Sequence, residues 1–226
     1  TDALLHFDSL TDNPSLFWAL TGPGGTVVSE RAFSASDSFA VATSVLSLGT
    51  GEYALTIWTD GELERYSFAL RTFGAATTVT PGTPVAGELQ PANESLLYRF
   101  DAAPGDEFFF DSLVRAETAV WRLVGPTGQT LFSQSLALDH ENIRLPVAGV
   151  YTVMVEGGVS ATGVTAFSFN VQPTPAIARR HEIVEVDPVT GAEVRRFAAP
   201  GVYSDQVGVA YDGGGLARGG GVSLYY

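Results

Sequence analysis

The segment Phe7-Asp8-Ser9-Leu10 returns at Phe110-Asp111-Ser112-Leu113, an offset of 103 residues, and much of its surroundings returns with it. At that offset Trp18 falls on Trp121, Leu20 on Leu123, Gly22-Pro23 on Gly125-Pro126 and Gly25 on Gly128. Further along, Tyr53 matches Tyr151 at an offset of 98, and Ser67-Phe68 matches Ser168-Phe169 at 101. Drift of this kind arises when loops change length between matched strands. The chain is therefore a tandem repeat. Its 226 residues hold two sandwich-sized units and a remainder, each unit long enough to bury a core of its own.

The second repeat is expected to be all strand. Ser95 to Phe100 ends at Ala103-Pro104-Gly105-Asp106, where Pro fixes one φ and Gly frees the next, the chemistry of a tight turn. Ala119 to Leu123 runs into Gly125-Pro126-Thr127-Gly128 and leaves through Thr130-Leu131-Phe132, a hairpin pattern. From Val150 onward, Tyr151, Val153 and Val155 share one face while Thr152, Met154 and Glu156 share the other. No helical period of useful length occurs.

The first repeat follows the same order but begins late, since Thr1 corresponds to Pro104. The counterpart of Pro84 to Ala103, two strands' worth, is absent, and an open sandwich exposes unpaired backbone. Two readings stay open: the strands lie upstream in a longer chain, or they are donated by a neighbouring subunit or the C-terminal segment. The expected divisions are 1-73 for the first repeat, 74-83 for a Pro-broken linker, 84-172 for the second repeat and 173-226 for a linker and a hairpin segment. That hairpin spans Ile183 to Phe197 around Asp187-Pro188-Val189-Thr190-Gly191, followed by a short strand to Tyr211. Gly213-Gly214-Gly215 and Gly219-Gly220-Gly221 suggest a loosely ordered end.

Tyr98-Arg99-Phe100-Asp101-Ala102-Ala103-Pro104-Gly105-Asp106, Trp121-Arg122-Leu123 and Leu145-Pro146-Val147-Ala148-Gly149-Val150-Tyr151-Thr152-Val153 together resemble the bacterial pre-peptidase C-terminal (PPC) domain and its jelly-roll relatives. The resemblance implies non-catalytic appendages of secreted enzymes or repeats of surface proteins, some of which bind polysaccharide, collagen or calcium. The region after Pro175 resembles one blade of a β-propeller, and a single blade cannot close a ring of four or more.

The net charge is -13, and all twelve basic residues are Arg, so the basic face that nucleic-acid phosphates require is missing. With no Cys, disulfides and thiolate metal sites are excluded. No apolar run approaches the roughly 20 residues of a membrane helix. Thr1-Asp2 leads straight into an expected strand, so a targeting segment, if the protein is exported, is expected to have been removed or to lie upstream of this piece.

Catalytic residues are not expected. His6 aligns with Phe109 and reads as a partly buried strand position, while His140 and His181 read as surface residues. The chain carries neither a Gly-x-Ser-x-Gly elbow nor a His-Glu-x-x-His run. Calcium is the better chemical candidate, with Asp139, Glu141 and Asn142 offering hard oxygens in one loop. Asp8 and Asp111 are expected to bond their own turn backbones. Trp18 and Trp121 are expected in the cores, leaving Trp58, which aligns with Glu156, as the candidate ligand-binding aromatic.

The sequence thus predicts an all-β chain of tandem jelly-roll/Ig-like antiparallel sandwiches with a C-terminal β-hairpin segment. Its expected role is a non-catalytic extracellular or cell-surface module for structure, adhesion or display. The alternatives are an accessory domain of a secreted hydrolase and a fibre subunit completed by strand donation. Expected partners are other domains of a longer chain or neighbouring subunits, with polysaccharide or matrix protein as further candidates. No cofactor other than calcium is expected.

Overall fold

The computed structural model describes residues 3–36, 41, 44–62, 65–174, 182–187, 189–190, 193–198, 209–211 and 222–224. The chain divides into two compact units, Thr1–Pro175 and Ala176–Tyr226. The first contains β1 (Ala3–Ser9), β2 (Leu16–Gly22), β3 (Gly25–Ala32), β4 (Val45–Leu48), β5 (Ala54–Thr59) and β6 (Phe68–Thr72). It continues with β7 (Thr77–Thr78), β8 (Val85–Leu89), β9 (Ser95–Ala102), β10 (Glu107–Val114), β11 (Ala119–Val124), β12 (Thr130–Ser135), β13 (His140–Arg144), β14 (Gly149–Gly157) and β15 (Thr165–Pro173). Single 3-10 turns lie at Phe33–Ala35 and Phe73–Ala75. The expected all-β, tandem-sandwich class holds.

Each repeat is two facing sheets. In the first they run β4-β1-β6 and β3-β2-β5; in the second, β13-β10-β15-β8 and β12-β11-β14-β9-β7. The shared order is the repeat made visible. β1 stands for β10, β2 for β11 and β5 for β14, and the second repeat adds β8 to one sheet and β9 with β7 to the other. All pairings in this unit are antiparallel except β7 with β9, through Thr77↔Tyr98 and Thr78↔Arg99.

Alternation places the cores. In β14, Tyr151, Val153 and Val155 point inward to meet Phe100, Phe110, Trp121 and Phe169. The first core gathers Phe7, Trp18, Leu20, Phe33 and Leu46. Both Trp18 and Trp121 are buried, as expected, though their neighbours differ in detail. Phe7 stacks on Trp18 at 4.0 Å, whereas Phe110 meets Trp121 edge-on at 6.2 Å. Trp18 Nε1 donates to Ser36 Oγ at 2.7 Å; Trp121 Nε1 is buried without a hydrogen-bond partner.

The opposite face of β14 is covered too. Leu97, Val124 and Met154 form a third apolar cluster with Phe73 and Ala76, and Leu4 and Val45 pack against it. The outer face of β4-β1-β6 therefore lies against the outer face of β12-β11-β14-β9-β7, and the two sandwiches share a packed boundary. Close approach at its margin fixes Gly157, where a Cβ would fall 1.7 Å from the Ala92 carbonyl oxygen.

The second unit contains β16 (Glu182–Val186), β17 (Glu193–Ala198), β18 (Val209–Tyr211) and β19 (Val222–Leu224) in a sheet ordered β17-β16-β19-β18. β16 and β17 form the expected hairpin. Asp187 Oδ1 accepts from the Val189 and Thr190 amides at 2.8 and 3.0 Å, a side chain standing in for a turn carbonyl. His181 and the glycine runs from Gly213 onward lie outside the described residues.

Candidate functional site

The densest gathering of chemical groups is the boundary between the sandwiches. On β1, Phe7 turns to its own core, so Leu4, His6 and Asp8 face the second repeat. They meet Ser95 of β9 and Glu156 of β14. His6, Asp8, Ser44, Ser95, Arg122 and Glu156 are all buried.

The geometry is specific. Asp8 Oδ2 accepts from Arg71 Nε at 2.9 Å and from the Ser95 amide at 3.0 Å, and Asp8 Oδ1 accepts from Ser95 Oγ at 2.9 Å. Ser95 Oγ lies 3.3 Å from His6 Nε2, whose other ring nitrogen lies 3.4 Å from the Ser44 carbonyl. Arg71 extends to Glu94 Oε2 at 3.0 Å, and Arg122 donates to Ser44 Oγ at 3.0 Å. Five of these seven contacts cross from one repeat to the other, while Asp8–Arg71 and His6–Ser44 stay within the first.

Burial sets the charge states. Removal from water pulls His6 down to about 4, with Arg122, Arg71 and Arg31 adding to the effect against the Ser44 carbonyl bond. The imidazole is neutral at pH 7, so its 3.6 Å approach to Glu156 is a dipolar contact and not an ion pair. Burial raises Asp8 above the usual carboxylate value, opposed by its bonds to Ser95 and Arg71.

A serine, a histidine and an aspartate within bonding distance invite comparison with a nucleophilic triad. In such a triad the carboxylate orients the imidazole and the imidazole takes the serine proton. Here the serine hydroxyl donates its hydrogen bond to the carboxylate instead of to the imidazole, and the far imidazole nitrogen faces a backbone carbonyl. Ser95 and His6 are fully buried. A half-open cavity of about 340 Å³ lies alongside, lined in part by Leu70, Arg71, Ala76, Leu97 and Tyr98, and Ser95 borders it without presenting surface. The arrangement clamps the two sandwiches together.

Several sequence readings are corrected here. His6 is fully buried rather than partly so, because a second sheet covers its face. Asp8 and Asp111 do not bond their own turns, since both lie within strands, Asp8 next to the end of β1 and Asp111 in the middle of β10. Asp8 bonds across the boundary, and Asp111 accepts from Gln172 at 2.7 Å. His140 is half-buried, stacked on Phe132 at 4.2 Å, with Nδ1 3.0 Å from Gln134 Oε1. Sequence reasoning passed over Ser95, Arg71, Arg122 and Ser44. The available signal was Met154 and Leu97 on faces that the alternation assigned to solvent.

The calcium candidates fall near β13. Asp139 Oδ1 accepts from the Ser112 amide at 2.9 Å, and its other oxygen lies 3.9 Å from Arg115. Asn142 Oδ1 accepts from Thr174 Oγ1 at 2.9 Å, while Glu141 is exposed. Among the described residues no three His, Asp or Glu side chains gather as a metal-binding group. Trp58 is half-buried on the outer face of β5, stacked with Phe17 at 5.9 Å. No helix among the described residues is long and apolar enough to cross a membrane.

No family model matches this chain, and no curated protein matches it. Among solved structures, it is similar to PliG, a periplasmic inhibitor of g-type lysozyme, from Aeromonas hydrophila, with 12% identity and a TM-score of 0.39 over 44% of this chain and 96% of that one. The PliG of Salmonella Typhimurium matches at 22% identity and a TM-score of 0.35, covering 44% of this chain and 98% of that one. The structure of infectious bursal disease virus Gt strain matches at 13% identity and a TM-score of 0.20, covering 75% of this chain and 54% of that one.

Proposed function

We propose that this chain is a non-catalytic extracellular module in which two PPC-like sandwiches, clamped face to face, act as a stiff spacer for adhesion or display. The observation that carries this reading is the fate of Ser95, His6 and Asp8. The one serine–histidine–aspartate constellation among the described residues is sealed inside the boundary, where it joins the repeats. A sandwich pair fixed across a packed face transmits position, whereas beads on a linker do not.

The test combines chemistry with mechanics. A fluorophosphonate probe is expected to leave Ser95 unlabelled, and small-angle scattering is expected to give one fixed separation of the two sandwiches. Labelling of Ser95, or a distribution of separations, would overturn the reading. A second reading rests on the Phe17–Trp58 stack, a flat aromatic platform suited to sugar rings. Glycan-array binding lost in Trp58→Ala would favour an accessory polysaccharide-binding role over a spacer.

A further inference from the structure

We infer that the outer face of β3-β2-β5 is a docking surface for the second sandwich of another copy of this chain, seated as the first sandwich is seated on the second within one chain. The internal boundary supplies the template. There the outer face of β4-β1-β6 covers the outer face of β11 and β14. His6 stands 3.6 Å from Glu156, and Leu4 packs against the cluster that holds Val124 and Met154. Both faces occur a second time, because β2 and β5 repeat β11 and β14 while β10 repeats β1.

The composition of the β2-β5 face suits a covering layer. Leu16, Trp18 and Leu20 turn to the core, so Phe17, Ala19 and Thr21 point outward, as do Ala54, Thr56 and Trp58 on β5. These residues sit opposite one another, Phe17 with Trp58, Ala19 with Thr56 and Thr21 with Ala54. None carries a charge, in a chain with 25 acidic and 12 basic residues. The rim keeps its shape between the repeats as well. Gly25 and Gly128 both adopt left-handed φ, 102° and 87°, and a Cβ on Gly128 would fall 3.0 Å from Leu4, so the first sandwich rests on that turn.

The residues change in pairs between the two faces. On β10, Phe108 and Phe110 belong to the core, so Glu107, Phe109 and Asp111 point outward. Carried onto the template, Phe109 takes the place of His6 and Trp58 that of Glu156, and a dipolar contact becomes one aromatic ring against another. Both rings are partly exposed in the single chain. Glu107 takes the place of Leu4, while Thr21 and Thr56 take those of Val124 and Met154, so an apolar contact becomes a carboxylate facing two hydroxyls. Ala19 stands where Arg122 stands, which leaves no guanidinium to bury. Asp111, at the place of Asp8, already accepts from Gln172 of its own sandwich and needs no second Ser95. A sugar ring on Trp58 would account for Trp58 but not for the matching changes on β10. The match is a property of residues inside the two sandwiches. Because the two faces differ, the contact is heterologous and continues from copy to copy in an open row. The inference goes beyond the spacer role and does not depend on it.

The test is sedimentation velocity of the intact chain over a range of concentration and salt. Open-ended association that strengthens with salt is expected, since copies of net charge -13 repel one another until screened. Trp58→Asp and Phe109→Asp are each expected to weaken it by about tenfold or more, because each leaves a charge in an apolar contact. An equal mixture of the two variants decides the matter. One keeps the β10 face and the other keeps the β2-β5 face, so a single one-to-one pair is expected that grows no further. Two misfolded chains could not form that pair. A chain that stays monomeric at every concentration, with or without glycan bound at Trp58, overturns the inference. Loss of association in only one variant would mean that a face meets its own copy. That result, loss in neither variant, or a mixture that forms no pair overturns the inference too.

Discussion

His6 and Ser95 stand 89 residues apart in the chain, yet His6 Nε2 lies 3.3 Å from Ser95 Oγ at the centre of a sealed boundary. Ser95 has one hydroxyl proton and directs it to Asp8 Oδ1 at 2.9 Å. Each of the three residues is held by groups of the other repeat, so the boundary has a defined register. Apolar packing of Leu4, Val45, Leu97 and Met154 alone would tolerate sliding. Directional bonds do not.

The histidine makes that boundary sensitive to acid. His6 moves from an ordinary 6.5 to about 4 on folding. Between these values the unfolded chain binds more protons than the folded one, so stability rises with pH through the window and is fully present above 6.5. The whole shift corresponds to roughly 3 kcal/mol. Asp8 works the other way, because its raised value favours the fold below 3.8 and that contribution declines as pH climbs through the folded value. Asp8, Glu156, Arg71, Arg122 and, further off, Arg31 are the charged groups around the ring among the described residues. Urea midpoints are expected to fall from pH 7.5 to pH 5, and His6→Gln is expected to flatten that dependence. An unchanged slope in the variant would place the acid sensitivity elsewhere.

The two core tryptophans give a paired prediction. Trp18 Nε1 donates to Ser36 and Trp121 Nε1 is buried without a partner, although both occupy the same place in the repeat. Phe in place of either loses similar volume. Only Trp18→Phe also discards a made hydrogen bond, worth about 1 kcal/mol net. Trp18→Phe is therefore expected to destabilise more than Trp121→Phe by about that amount, read from denaturant midpoints.

Trp58 separates from both in solution. It is the one tryptophan among the three that is not buried. Acrylamide is expected to quench one component of the emission readily and leave a shielded remainder. Trp58→Phe should remove the quenchable component with little loss of stability, and its persistence would show that one of the cores is open.

The repeat, its strands and the identity of both cores were legible in the sequence because each depends on local pattern. Alternation set Tyr151, Val153 and Val155 apart from Thr152, Met154 and Glu156, and Trp18 matched Trp121 without any knowledge of contacts. The boundary was not legible in the same way. A strand with one apolar face predicts a solvated reverse side, so Thr152, Glu156 and Asp8 pass for surface residues and His6 for a partly buried one. What covers them is another sheet, selected by pairings such as Asp8 with Ser95 that no periodicity encodes. Met154 on β14 and Leu97 on β9 were the residues on those faces whose type argued for burial.

Arg71 and Gln172 supply the sharpest test of the clamp because the repeat offers its own control. Arg71 donates to Asp8 at 2.9 Å, and at the matching place Gln172 donates to Asp111 at 2.7 Å. Gln can therefore make this bond from this strand position. Arg71→Met removes the donor and leaves Asp8 buried with Ser95 alone, and stripping one partner from a buried charge costs about 3 kcal/mol or more. Partial exposure of Arg71 places the expected loss at the lower end of that range. Arg71→Gln keeps a donor while giving up the charge and the Glu94 contact. Equilibrium urea unfolding should rank the wild type first, Arg71→Gln next and Arg71→Met last. Small-angle scattering should show the sandwich separation loosening in Arg71→Met. Equal stability of the two variants would mean that Asp8 draws its support from Ser95 and not from the neighbouring strand.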